Sequence, residues 1–362
     1  MKKVYLLILF LIIVSNAKAA IIEQEVEFYN GSIKLGGTLT LPDTIGKYPA
    51  LVMVTGSGQQ NRDEEIFGFK IFKIIAEYLT NNGLAVLRFD DRGVGKSKNK
   101  RKTVDTATTY DFAQDAYAGV KLLKSHKNIN VKQIGVFGHS EGGIIAAMLA
   151  ADYPKDIAFI ISMAGPSIPG SKIINYQIAS ANKESGISDS GIQVALKYQN
   201  LIYQALEANK SVEELTDILY KSNYAMIEFM PKEQTASITN KEEYAKAMAT
   251  ISVKQVVSPW FKYFVLFDPA PKICKIECPT LALFGEKDTQ VPPELNVEPY
   301  RSEFKGREQL LTLKIIPSAN HLFQKANTGL GSEYSNLNKE FAPEFLETIL
   351  KWLKDNNYTK AE

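Results

Sequence analysis

Histidine and cysteine are both scarce in this chain, with three of the first and two of the second among 362 residues. A fold held together by disulfides is therefore excluded. A bridge between the two cysteines, Cys274 and Cys278, is disfavoured, because Pro279 biases Cys278 toward extended backbone and an extended segment keeps residues at this spacing apart. No histidine neighbours the pair, so no metal centre is expected there, or elsewhere. An excess of one charge is also lacking. The balance is 42 basic against 40 acidic residues, with no long run of either sign, which removes the footprint of a nucleic-acid partner. The one long apolar run, residues 4–14, is shorter than the roughly 20 residues that a transmembrane helix needs. With Lys2 and Lys3 before it and Ala17-Lys18-Ala19 after it, the run reads as a secretory signal peptide over residues 1–19. Export to the periplasm or the extracellular space is the corresponding expectation, with no stable membrane insertion after cleavage.

The remaining chain is long enough for one large α/β domain carrying an insertion. Residues 21–29 place Ile22, Val26 and Phe28 on one face against Glu23, Glu25 and Glu27, and residues 33–41 follow after a Gly31-Ser32 turn. Together they predict an antiparallel hairpin. Continuous apolar runs at 49–55, 84–89, 134–137, 157–163, 280–285 and 310–316 suit strands buried on both faces of a parallel sheet. Helical spacing over 66–81 and 110–125 supplies crossovers between them, and a closing helix is expected over 342–356. From 167 to 258 the pattern becomes helical, around 192–208, 211–220 and 241–248, with no buried strand. This organisation divides the chain into a first core segment (20–166), a helical cap insertion (167–258) and a second core segment (259–362).

Two glycine motifs imitate nucleotide sites and fail on inspection. Gly56-Ser57-Gly58 follows a strand, but the third glycine of a dinucleotide fingerprint falls on Asn61. Gly95-Lys96-Ser97 resembles the end of a phosphate-binding loop, but the required earlier glycine falls on Asp90. No cofactor is expected.

The motif that carries chemistry is Gly138-His139-Ser140-Glu141-Gly142-Gly143. It joins the apolar run 134–137 to the small-residue helical run 144–150, the context of a nucleophile elbow, where small neighbours let strand and helix approach and a strained serine is lifted clear of the sheet. Ser140 needs a base, and the chain offers His126, His139 and His321. His139 leaves the elbow in another direction and His126 precedes the elbow strand at its opposite end. His321 follows a strand in Pro317-Ser318-Ala319-Asn320-His321, at the carboxyl end of the sheet where Ser140 also lies. Asp288, after the strand ending at Gly285, is the acid expected to orient it, with Glu286 as the rival. For the oxyanion, one amide comes from Glu141 and a second from the loop after strand 49–55. Ser57 is favoured there, with Gly58 and Gln59 as alternatives.

In the elbow, the Asp90-Asp91-Arg92-Gly93-Val94-Gly95-Lys96-Ser97 loop, Asp288 and His321, the chain resembles the serine hydrolases of the α/β-hydrolase superfamily. Gly56-Ser57-Gly58-Gln59-Gln60-Asn61-Arg62-Asp63-Glu64 and Ser258-Pro259-Trp260-Phe261 narrow the resemblance to bacterial secreted carboxylesterases of the EstD-like group. The resemblance implies the α/β-hydrolase fold and cofactor-free cleavage of small-molecule acyl esters through an acyl-enzyme. A peptidase or thioesterase would use the same three side chains. For a peptidase, Glu213 or Glu214 would receive the substrate amine. A catalytically silent binding protein is the reading outside enzymes. Thr55 departs from the His-Gly pair often found at this point in lipases. Phe229, Met230, Trp260, Phe261, Tyr263 and Phe264 are candidates for the wall of an acyl pocket or for packing.

Overall fold

The computed structural model describes residues 21–98 and 106–359, so the expected signal peptide lies outside the described residues. The chain opens with β1 (Ile22–Asn30) and β2 (Ile33–Leu41), paired antiparallel in continuous register from Ile22 opposite Leu41 to Asn30 opposite Ile33. Along β1 each glutamate is exposed and alternates with the more buried Ile22, Gln24, Val26 and Phe28, the pattern of a strand with one wet face. Next comes β3 (Tyr48–Val54), every residue of which is buried.

The helix expected from 66 begins later. Glu65–Ile66 (β4) and Phe69–Lys70 (β5) form a small antiparallel hairpin, and α1 covers Ile71–Thr80. The reason is local: Phe67 and Gly68 both take positive φ, at 50° and 79°, which makes a tight turn and interrupts any helix. β6 (Ala85–Phe89), α2 (Thr109–Ser125) and β7 (Ile129–His139) follow, with α2 closed at its start by a capping box between Thr108 and Asp111. Then come α3 (Glu141–Asp152) and β8 (Phe159–Met163).

After β8 the chain is helical: α4 (Gly170–Glu184), α5 (Asp189–Glu207), α6 (Val212–Met226), α7 (Lys232–Thr235) and α8 (Lys241–Val256). Ser188, Ser211 and Asn240 cap α5, α6 and α8 with side-chain oxygens. The helical run continues beyond the boundary expected at Ser258, through α9 (Pro259–Leu266), which packs on α4, α5 and α8, and the short α10 (Ala270–Ile273). β9 (Thr280–Gly285), α11 (Pro293–Glu303), β10 (Leu311–Ile316) and α12 (Phe345–Asp355) complete the core.

The main sheet has eight strands in the order β1-β2-β6-β3-β7-β8-β9-β10. From β6 to β10 every pair is parallel, and β2 pairs antiparallel with both β1 and β6. Parallel pairing brings the loops after β3, β7, β8, β9 and β10 to one end of the sheet, the end where ligand sites form in such folds. None of the described helices is long and apolar enough to cross a membrane.

Candidate active site

The elbow is built by close approach. A Cβ placed on Gly138 would sit 1.9 Å from the Gly142 carbonyl oxygen, and one on Gly142 would sit 2.1 Å from that of Val54. Only hydrogen fits, so α3 can leave β7 at a sharp angle. Ser140 occupies the corner with φ 53° and ψ −118°, a conformation strained for any residue with a side chain. Its amide donates to the Met163 carbonyl at 2.8 Å, and its carbonyl accepts from Gly143 at 2.9 Å, so the corner is fixed from both sides. The first ten residues of α3 are buried, which makes the elbow helix part of the core.

His321 is buried and its Nδ1 lies 2.8 Å from Oδ2 of Asp288. A carboxylate only accepts, so Nδ1 carries the hydrogen. The other oxygen of Asp288 accepts from the amides of Gln290 and Val291, both at 2.8 Å. Burial works against the charge, but the His321 imidazole and these two amides outweigh it and hold the Asp288 carboxyl below its ordinary 3.8. Glu286, the rival acid, is exposed and accepts from the Ser318 amide instead.

Ser140 and His321 line one cavity of about 420 Å³ together with Ser57. Gly58 borders a separate small void, and the Gly56 amide is already bound, 2.7 Å from Oε1 of Glu64. Of the three residues weighed as donors in the loop after β3, Ser57 lines the cavity and Gly58 and Gln59 do not. The loop is tethered by Asp91, which accepts from the Thr55 hydroxyl at 2.8 Å and the Gln60 amide at 2.9 Å. Burial pushes the Asp91 carboxyl well up from its ordinary value. Its neighbours Asp90 and Arg92 are also structural: Asp90 binds Arg62 and the Lys96 amide, and Arg92 holds Asp115 through two nitrogens.

The Glu141 side chain is buried behind the loop. Its carboxylate accepts from Ser57 and Thr109 at 2.7 Å each and from the Trp260 indole at 2.9 and 3.0 Å. Burial raises its proton affinity and these donors partly oppose the rise. Trp260 and Phe264 line the cavity. Met230 and Phe261 border a different cavity within the cap, Phe229 packs against Gly191, and Tyr263 stacks on Phe267. Glu213 and Glu214 stand exposed in the first turn of α6, where Glu214 completes a capping box and pairs with Lys210. Cys274 and Cys278 are both free thiols. His126 caps α2, at the far end of β7 from Ser140.

His139 has a role that sequence reasoning did not reach. It is buried with Nδ1 2.8 Å from Oε1 of Glu64 and Nε2 3.0 Å from the His321 carbonyl oxygen. No local pattern announces this, because Glu64 and His139 are 75 residues apart in the chain.

The backbone has counterparts among solved structures. An esterase of Pyrococcus furiosus, Pf2001, matches 92% of this chain and 91% of its own with a TM-score of 0.55 and 17% identity. The α/β hydrolase GrgF from a Penicillium species matches 94% of this chain and all of its own, with a TM-score of 0.52 and 18% identity.

This chain has the α/β-hydrolase fold.

The family described as "Serine aminopeptidase, S33" matches residues 69–213. Esterase EstD of Thermotoga maritima is 29% identical over 289 residues, which cover 80% of this chain and 58% of EstD. The chain thus resembles EstD over most of its own length and spans little more than half of EstD's.

Proposed function

We propose that this α/β hydrolase cleaves carboxylic esters through an acyl-enzyme on Ser140. The observation that carries the reading is the 2.8 Å contact between Asp288 and His321, which lines one cavity with a strained serine. With Nδ1 committed to Asp288, Nε2 is the ring nitrogen available to Ser140. In the first step Oγ bonds to the ester carbonyl carbon and its proton passes to His321. The tetrahedral oxyanion accepts from the Ser57 and Glu141 amides. Collapse expels the alcohol oxygen, which takes the proton from His321. Water, deprotonated by His321, then repeats the sequence on the acyl group and releases the acid.

The cavity walls favour a neutral acyl ester. Ile173, Ile174, Trp260, Phe264, Val291 and Leu322 contribute apolar surface, and Gln60, Gln177 and Gln290 contribute neutral polar groups. An aminopeptidase requires an acid for the substrate amine. The carboxylate in this cavity wall, Glu64, is engaged by Gly56 and His139. The resemblance to EstD over 80% of this chain supports the ester reading over a silent binding protein.

The test is hydrolysis of a short p-nitrophenyl ester by wild type and Ser140→Ala. We expect the rate to fall by at least about 10³-fold with the thermal midpoint little changed. Retained activity in the variant would refute the assignment. We also propose export, on residues 1–19. Protein recovered from the periplasm or medium should begin at Ala20, and an intact Met1 on exported material would contradict this.

A further inference from the structure

Glu64 and His139 are 1% and 2% exposed, and the acyl-transfer steps use neither. Their hydrogen bonds fix where the protons are. The His321 carbonyl oxygen can only accept, so Nε2 of His139 carries a hydrogen. Nδ1 faces Oε1 of Glu64 at 2.8 Å, and a bare nitrogen lone pair against a carboxylate oxygen would be repelled, so a proton lies in that contact. The same oxygen accepts from the Gly56 amide at 2.7 Å. An amide donor stabilises a carboxylate more than a carboxylic acid, so the Gly56 contact favours the proton on His139.

Three parts of the site meet at this pair. Gly56 begins the oxyanion loop, His139 precedes Ser140, and the carbonyl belongs to His321 itself. Glu64 is held at φ 45°, a strained conformation for a glutamate, which directs its carboxylate inward. Its Oε2 is buried without a hydrogen-bond partner among the described residues.

We propose that His139 is a buried imidazolium paired with Glu64, and that the pair is a positioning device holding the oxyanion loop, the elbow and the His321 loop in register for acyl transfer. The positioning role rests on the esterase reading; the protonation state does not. Burial opposes the charge on His139, but the Glu64 carboxylate and the His321 carbonyl prevail and raise its proton affinity above the ordinary 6.5. The charged or titratable groups around the pair are His321, whose ring centroid is 4.8 Å from that of His139, Asp288 on the far side of His321, and Asp91 toward Glu64.

The test has two arms. In the full chain with ¹⁵N-labelled histidine, His139 is expected to show both ring nitrogens protonated at neutral pH, assigned by loss of the signals in His139→Gln. A nitrogen signal of an unprotonated, pyridine-like type from His139 overturns the proposal, whatever the substrate. In the second arm, Glu64→Gln is expected to lower kcat on the p-nitrophenyl ester by about 10- to 100-fold while KM changes little, the signature of misplaced reacting groups. With the positive charge gone from beside His321, the acidic limb of kcat/KM should move to higher pH. An unchanged kcat and pH profile in a folded Glu64→Gln variant contradicts the positioning role. Absence of wild-type ester hydrolysis would instead fault the esterase reading and leave the first arm decisive.

Discussion

The Trp260 indole nitrogen donates to both oxygens of the buried Glu141 carboxylate, at 2.9 and 3.0 Å. Glu141 supplies the first amide of the elbow helix and Trp260 lies in α9, which packs on the cap. The contact therefore ties the cap to the proposed oxyanion hole. Trp260→Phe keeps the ring and removes the donor, and should destabilise the fold by about 1.5–3 kcal/mol, the range for a hydrogen bond to a charged group. Glu141→Gln should shift tryptophan emission, since the chain has two tryptophans and the other, Trp352, is bonded to Thr312. Denaturation and emission spectra of the two variants check this. Unchanged stability and emission would mean that the contact does not couple the elements.

Asp288→Asn should lower kcat by about 10⁴-fold, because a neutral amide neither fixes the His321 tautomer nor stabilises the imidazolium. Stability should change with pH in a definite direction. The Asp288 carboxyl is held below 3.8, so its stabilising contribution is present above that pH and is lost as pH falls through the lower, folded value. Acid denaturation of the asparagine variant should lack that component. A variant with the same acid dependence as wild type would contradict the pairing.

Gly143 and Gly165 pack α3 onto the loop after β8. A Cβ on Gly143 would lie 2.5 Å from Gly165 Cα and 2.8 Å from Ser162 Oγ. Two backbones at van der Waals contact cannot yield cheaply, so Gly143→Ala should destabilise by about 3 kcal/mol or more. Urea denaturation measures this, and a neutral result would mean that the elbow is looser than described.

An ester whose acyl part bears a free α-amine should be hydrolysed no faster than its neutral counterpart. Glu213 and Glu214 stand away from the cavity, and Glu64 is held by Gly56 and His139. Rates on the matched pair decide the point. Marked acceleration by the amine would favour an aminopeptidase.

The strand run and the elbow were legible because buried parallel strands are written as unbroken apolar segments and the elbow as small residues around a serine. The scarcity of histidine left His321 as the expected base, and the structure brings it to the cavity that Ser140 lines. What could not be read depends on backbone conformation or on distant partners. The β4–β5 hairpin hides in a helical spacing until Phe67 and Gly68 adopt positive φ. Glu64 entered the sequence reading only within the stretch that carries the resemblance, and nothing there points to its partner, a histidine on β7. For Glu141 the sequence raised only the expectation of an amide donor; its carboxylate finds Ser57, Thr109 and Trp260 only after three segments have met.

The most direct test of the account is where a fluorophosphonate bonds. Intact-mass and peptide spectra should show one adduct, on Ser140, that is absent in Ser140→Ala and strongly slowed in His321→Ala. No adduct on the folded wild-type protein, an adduct on another residue, or equal labelling of Ser140→Ala would contradict Ser140 as the nucleophile.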